Sequence, residues 1–180
     1  MARLPGAAQH YPSSTAHPRS GRDRLDFTEI LANELWVGAA PTLADLEEIK
    51  KHGGGKSVII DLTRSQREEE WSKKLGLQYE DRTPKVEETF SAVPVSQLRL
   101  VSRLIEQHIR GGRTVYLHCK MGLGRSPTCA AAYLVHCGIP LRDAKELILS
   151  KRSVWSGEDG NYASGLEDFA KMLEIARLSE

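Results

Sequence analysis

No part of this 180-residue sequence approaches the roughly 18 consecutive apolar residues that a membrane-crossing helix requires. The N-terminus also lacks the apolar middle of a secretory signal. Both absences predict a soluble, cytoplasmic protein with no membrane insertion. Cysteine is scarce: Cys119, Cys129 and Cys137 form no Cys-x-x-Cys pair and no His/Cys cluster. That excludes a disulfide framework and argues against zinc, so neither a metal nor a cofactor is expected. Charge of one sign is missing too. The 25 basic and 24 acidic residues leave a net charge of +1, which gives no polyelectrolyte pull toward nucleic acid as a partner. Any preference for anions has to be local. Internal repeats and long low-complexity tracts are absent.

Carboxylates are nearly missing from residues 1–25, where Asp23 stands alone among Arg3, Arg19, Arg22 and Arg24. With Pro5, Pro12 and Pro18 this composition predicts a flexible tail, or alternatively an organelle-targeting peptide, although no clear amphipathic helix is visible. Residues 26–180 are long enough for one core and are expected to form a single domain, acting as a monomer.

Within that domain short apolar runs alternate with amphipathic stretches. LWVG, SVIIDL, LQYE and TVYLH read as strands. PTLADLEEIKKH puts Leu43, Leu46, Ile49 and Lys50 on one helical stripe ending at Gly53, and REEEWSKKLG forms a helix that stops at Gly76. VSQLRLVSRLIEQHIRGG spaces Val95, Leu98, Val101, Ile105 and Ile109 by three or four residues. SPTCAAAYLVHCG is a helix with Ser126 as candidate cap and Pro127 in its first turn, and PLRDAKELILSK and SGLEDFAKMLEIARL are two more. Strands separated by helices predict an α/β fold: a central mixed, mostly parallel sheet with helices on both faces. In such sheets ligands bind beyond the carboxyl ends of the strands, where helix N-termini present their N–H groups.

The stretch HCKMGLGRSP, residues 118–127, occupies that position, between the TVYLH strand and a helix. A loop this short, with Gly122 and Gly124 free of Cβ, can curl so that its N–H groups converge on a tetrahedral oxyanion. Lys120, Met121, Gly122, Leu123, Gly124 and Arg125 would then bind phosphate, Arg125 adding a planar fork for two oxygens. Cys119 would lie beneath them. A helix N-terminus and a guanidinium favour the thiolate, the form that attacks phosphorus and splits one hydrolysis into two steps. Ser126 is placed to donate a hydrogen bond to the departing sulfur. The bland alternative for Cys119, a small buried hydrophobe, makes Arg125 and both glycines a coincidence.

His118, Cys119, Arg125 and Ser126 resemble the signature of the cysteine-based protein tyrosine phosphatases: histidine, cysteine, five residues, arginine, then serine or threonine. LWVGAAPTLADLEEIKKHG, SVIIDLT and RSPTCAAAYLV resemble the small, atypical dual-specificity branch, over roughly residues 26–175. The resemblance implies a dual-specificity phosphatase-like fold and a metal-free phosphomonoesterase. Its substrates would be phosphotyrosine and/or phosphoserine and phosphothreonine in proteins, or, as in some members, lipids, inositols or RNA 5′ ends. It also implies a general acid on a loop upstream of the cysteine. Here that loop is EDRTPKVEETFSAVP, with no aspartate at the usual distance, so Glu87, Glu88 and Asp81 are the candidates. Lys120 resembles the basic residue of members that act on polyanions, and His118 a histidine that braces the loop by hydrogen bonds.

Other residues carry weaker expectations. Arg64 and the WSGEDGN loop lie near the strand-end face and could contact substrate, although Trp155 reads equally as a buried anchor. His52, His108 and His136 fall at helix ends or on helix surfaces. Cys129 and Cys137 read as packing residues, with a protective Cys119–Cys129 disulfide as the alternative. Two competing functions remain: a phosphate-reading module without efficient turnover, and a sulfur-transfer or arsenate-reducing enzyme.

Overall fold

A computed structural model describes residues 26–87, 92–155 and 161–179. Five strands, β1 (Phe27–Leu31), β2 (Leu35–Ala39), β3 (Ser57–Asp61), β4 (Gln78–Tyr79) and β5 (Thr114–Cys119), form one sheet in the order β1-β2-β5-β3-β4. β1 runs antiparallel to β2 and every other pairing is parallel. The mixed, mostly parallel α/β fold expected from the alternation is therefore present. β1 is an element the sequence reading passed over, and β4 pairs over only two residues of LQYE.

Side chains alternate across the sheet, so each central strand feeds two cores. Leu35, Val37, Val58, Ile60, Val115, Leu117 and Cys119 join the larger core. That core is covered by α3 (Val95–Arg110), α4 (Arg125–His136), α5 (Leu141–Lys151) and α6 (Asn161–Leu178). Trp36, Ile59 and Tyr116 point the other way, into a smaller core with Leu46 and Ile49 of α1 (Leu43–His52) and Trp71 and Leu75 of α2 (Gln66–Leu75). Central strands with both faces covered explain why SVIIDL and TVYLH read as unbroken apolar runs.

The helix ends follow their sequences. Thr42 caps α1: its hydroxyl accepts from Asp45 N while the Asp45 carboxylate accepts from Thr42 N. Ser65 caps α2, and Gly76 ends it in a left-handed conformation at φ 67°. The α1 stripe is narrower than expected. Leu46 and Ile49 are buried, but Leu43 is exposed, and Lys50 bonds outward to Leu75 O at 2.7 Å. At α4 the cap is Gly124, with no side-chain cap hydrogen bond; Ser126 is the second helical residue and not the cap. No helix among the described residues is long and apolar enough to cross a membrane.

Candidate active site

The register brings three strand ends level. Cys119 of β5 pairs with Ala39 of β2, and His118 with Asp61 of β3. Beyond that line the chain from Cys119 to Arg125 turns back into α4. Its flanks are tied down by Leu62 N donating to His118 O at 3.0 Å and Ala40 N to Lys120 O at 3.3 Å. Cys119 is 2 % exposed, and its Sγ lies 3.4 Å from Ser126 Oγ, whose hydroxyl is also 3.3 Å from Gly38 O. The Ser126 hydroxyl thus donates to Gly38 O and lies within hydrogen-bond distance of the sulfur. Gly122 holds φ at 69°, and a Cβ there would come within 2.7 Å of the Gly38 backbone. Only glycine lets the loop pass this close to β2.

Arg125 is buried, and its Nη1 donates to Val86 O at 2.8 Å. Val86 N in turn donates to Leu62 O at 2.9 Å. The loop expected to carry the general acid is therefore fastened to the guanidinium at the residue just before Glu87. Glu87 itself is exposed and pairs with Lys85 Nζ at 3.1 Å. Glu88 lies outside the described residues. Asp81 is exposed beyond edge strand β4, with β3 between that strand and the one bearing Cys119, and its carbonyl accepts from Arg64. Lys120 and Met121 are exposed on the loop, Leu123 and Gly124 half-buried.

Because neighbouring side chains on a strand face opposite ways, His118 points away from Cys119, toward α2. Its Nε2 is 3.1 Å from Glu68 Oε2 and its Nδ1 3.8 Å from Asp61 Oδ1, with all three groups buried. Neither ring nitrogen makes an aligned hydrogen bond among the described residues, so the hydrogen-bond brace expected of His118 is not seen there. Asp61 also accepts from Thr63 N, Thr63 Oγ1, Ser65 N and Tyr79 Oη. Burial opposes its ionisation, yet the His118 charge and the Thr63 and Ser65 bonds hold its carboxyl below the usual value. The ligand atoms of Asp61, Glu68 and His118 lie within 4.8 Å of one another. The two carboxylates approach different ring nitrogens, and that of Asp61 already accepts four bonds.

Several residues depart from their expected places. Arg64 bonds the backbone of Glu80 and Asp81 and lies over the Tyr79 ring, so it buttresses β4 instead of reaching out. His108 is buried, not on a helix surface, and its Nε2 meets Glu80 Oε2 at 2.7 Å. His52 bonds within its own helix and His136 meets Glu106 at 3.1 Å. Trp155 takes the anchor reading: it is buried, and its Nε1 donates to Thr128 Oγ1 at 3.1 Å, bracing α4. Residues 156–160 of WSGEDGN and the tail of residues 1–25 lie outside the described residues. Cys119 and Cys129 are free cysteines, and burial pushes the Cys129 thiol up. Sequence reasoning missed Arg152, which is fully buried under the loop; its signal was a lone arginine between two helices, indistinguishable from a solvated one.

Comparison with known proteins agrees with this geometry. The profile of the catalytic domain of dual specificity phosphatases matches residues 35–171. Mouse laforin is 27 % identical over 177 residues, covering 84 % of this chain and 52 % of laforin. The chain spans about half the length of the curated relatives it matches. Among solved structures, Tk-PTP in its active form superposes with TM-score 0.66 at 26 % identity, over 81 % of this chain and 96 % of that one. PTPMT1 in complex with PI(5)P superposes with TM-score 0.70 at 24 % identity, over 84 % and 98 %, a likeness of fold.

Proposed function

Since the chain belongs to the dual specificity phosphatase catalytic-domain family, we propose that it hydrolyses phosphomonoesters through a cysteinyl-phosphate. The carrying observation is the loop itself: a buried Cys119 followed by six residues that end in a buried Arg125 at a helix start, with Ser126 Oγ 3.4 Å from the sulfur. In the first step the Cys119 thiolate attacks phosphorus, the ester P–O bond breaks, and the leaving oxygen takes a proton from the acid loop. The N–H groups of residues 120–125 and the Arg125 fork carry the charge on the equatorial oxygens. In the second step water attacks phosphorus, its proton passing to the acid-loop carboxylate left by the first step, and the P–S bond breaks. Sulfur leaves as thiolate with the Ser126 hydroxyl turned to it, and inorganic phosphate departs.

Glu87 is our choice for the acid, because Val86 ties its backbone to Arg125; its ion pair with Lys85 has to open as it turns inward. Glu88 and Asp81 are the alternatives. Phosphotyrosine and/or phosphoserine and phosphothreonine side chains of proteins are the proposed substrates. A second reading, a phosphoinositide or other non-protein phosphate, is favoured by the exposed Lys120 directly after the nucleophile and by the ligand that the PTPMT1 structure contains.

Turnover of an aryl phosphate without added metal, compared with Cys119→Ser, tests the reading. Phosphate release by the natural protein alone is expected. Phosphate binding with no release above the variant would leave a phosphate-reading module instead. Parallel assays on a tyrosine phosphopeptide and on PI(5)P separate the two substrate classes. Glu87→Gln, Glu88→Gln and Asp81→Asn identify the acid, whose loss flattens the basic limb of the pH–rate profile.

A further inference from the structure

Arg152 follows α5 and is fully buried. Its Nε donates to Gly122 O at 2.6 Å. Its Nη1 donates to Thr28 Oγ1 at 3.0 Å and to Asp26 Oδ1 at 3.3 Å, and its Nη2 to Asp26 Oδ2 at 2.9 Å. The guanidinium therefore spans from β1 and the residue before it to the middle of the loop that follows Cys119. A buried cation needs such a partner, and Asp26 supplies the charge.

The consequence lies in the peptide plane. The described residues contain no cis peptide bond, so within each unit the C=O and the next N–H point in opposite directions. Three alternate carbonyls of the loop are held outward. Lys120 O accepts from Ala40 N, Gly122 O from Arg152 Nε, and Gly124 O from Thr128 N. Across each of these peptide planes the N–H of Met121, Leu123 or Arg125 points away from the donor that holds the carbonyl. Two of these anchors are backbone groups that come with the fold. The third, at the apex where Gly122 adopts φ 69°, is a side chain 30 residues away.

We propose that Arg152 is a positioning residue of the phosphate loop: by drawing Gly122 O outward it aims the Leu123 N–H into the oxyanion cradle, and Asp26 holds it to that task. The inference rests on the loop being a phosphate cradle. Lysine cannot substitute, because one ammonium cannot send one donor to Gly122 and a parallel pair to the Asp26 carboxylate. The same link makes the cradle depend on how the chain just before β1 is docked.

Sodium tungstate, an inert tetrahedral oxyanion, is the probe, so the cradle is read whether or not the protein turns over. Its affinity, the displacement of the Leu123 amide signal on binding it, and kcat/KM for an aryl phosphate are to be measured for the natural protein, Arg152→Lys and Asp26→Asn. For Arg152→Lys we expect tungstate affinity and kcat/KM to fall by about tenfold to a hundredfold, as for a misaimed oxyanion donor. The Leu123 displacement should shrink, and Asp26→Asn should show the same changes in smaller measure. A role confined to stability would lower the thermal midpoint and leave the tungstate affinity of the folded protein unchanged. Natural-level affinity and Leu123 response in folded Arg152→Lys overturn the proposal. Should that variant not fold, the same result in Asp26→Asn overturns it. If the natural protein binds tungstate but turns nothing over, the phosphatase reading fails while this one is still decided by the binding.

Discussion

Glu80 offers the sharpest quantitative test, because its surroundings fix both a sign and a size. The carboxylate is 3 % exposed at the end of β4, just before the turn that begins the acid loop. Burial opposes its ionisation, but Arg82 Nε, Arg82 Nη2 and Arg82 N donate to it at 2.7–2.9 Å and His108 Nε2 lies at 2.7 Å. Together they hold its pKa down at about 2, against 4.5 for a free glutamate. A depressed carboxyl stabilises the fold fully above its unfolded value and loses that contribution as pH falls toward the folded one. At about 1.4 kcal/mol per tenfold change in proton affinity, the contribution is on the order of 3 kcal/mol at neutral pH, of which about 2 kcal/mol is gone by pH 3. Glu80→Gln keeps the shape but not the charge, so its stability should lack this acid-sensitive part. Urea denaturation of both proteins at pH 7 and pH 3 measures the difference of differences. A gap that narrows by about 2 kcal/mol between the two pH values is expected; an equal gap at both would refute the account of how Glu80 is held.

Three further outcomes follow from the site. Gly122→Ala forces a left-handed alanine whose Cβ would lie 2.6 Å from Gly38 C and 2.5 Å from Arg152 Nη2, so thermal unfolding should show a loss of about 2–5 kcal/mol, with phosphatase activity falling alongside. Ser126→Ala removes the hydroxyl beside the sulfur; stopped-flow traces should show an intact first-turnover burst followed by a steady rate roughly tenfold to a hundredfold lower, since only the second step needs it. Trp155→Phe deletes the donor to buried Thr128 and should lower the unfolding free energy by about 1–3 kcal/mol in denaturant titration while the aryl-phosphate KM stays near its natural value.

The chemistry-bearing loop was legible because its residue types are dictated locally: a nest needs glycine, a fork needs arginine, and the strand before it is apolar on both faces. The parallel core of the sheet was legible for the same reason. β1 escaped because FTEIL is short and exposes Glu29, and the hairpin to β2 turns at Asn33, with φ 58°, without the glycine that usually marks such a turn. Arg152, Glu68 and His108 escaped because polar residues on a helix or beside one read as solvated until their partners are known. Here the partners are far along the chain, at Asp26, His118 and Glu80. Ser126 was assigned as a cap on its type alone; the close approach of β2 gives its hydroxyl Gly38 O and the sulfur instead. Asp81, a candidate acid through the family resemblance, lies at the sheet edge, where its carbonyl accepts from Arg64.

The bare start of α4 bears on more than catalysis. Thr42 and Ser65 close the first turns of α1 and α2 with their own hydroxyls, whereas α4 begins at Gly124 with no such closure. On the proposed reading, a phosphate seated over that turn would do for α4 what those hydroxyls do for α1 and α2. The reactant would in this sense be a piece of the architecture lent from outside, and the protein should be more stable in its company, by roughly 2.7 kcal/mol at a hundred times the dissociation constant. Each departure of product would then leave the central helix of the larger core a little looser at the very end from which the next reaction begins.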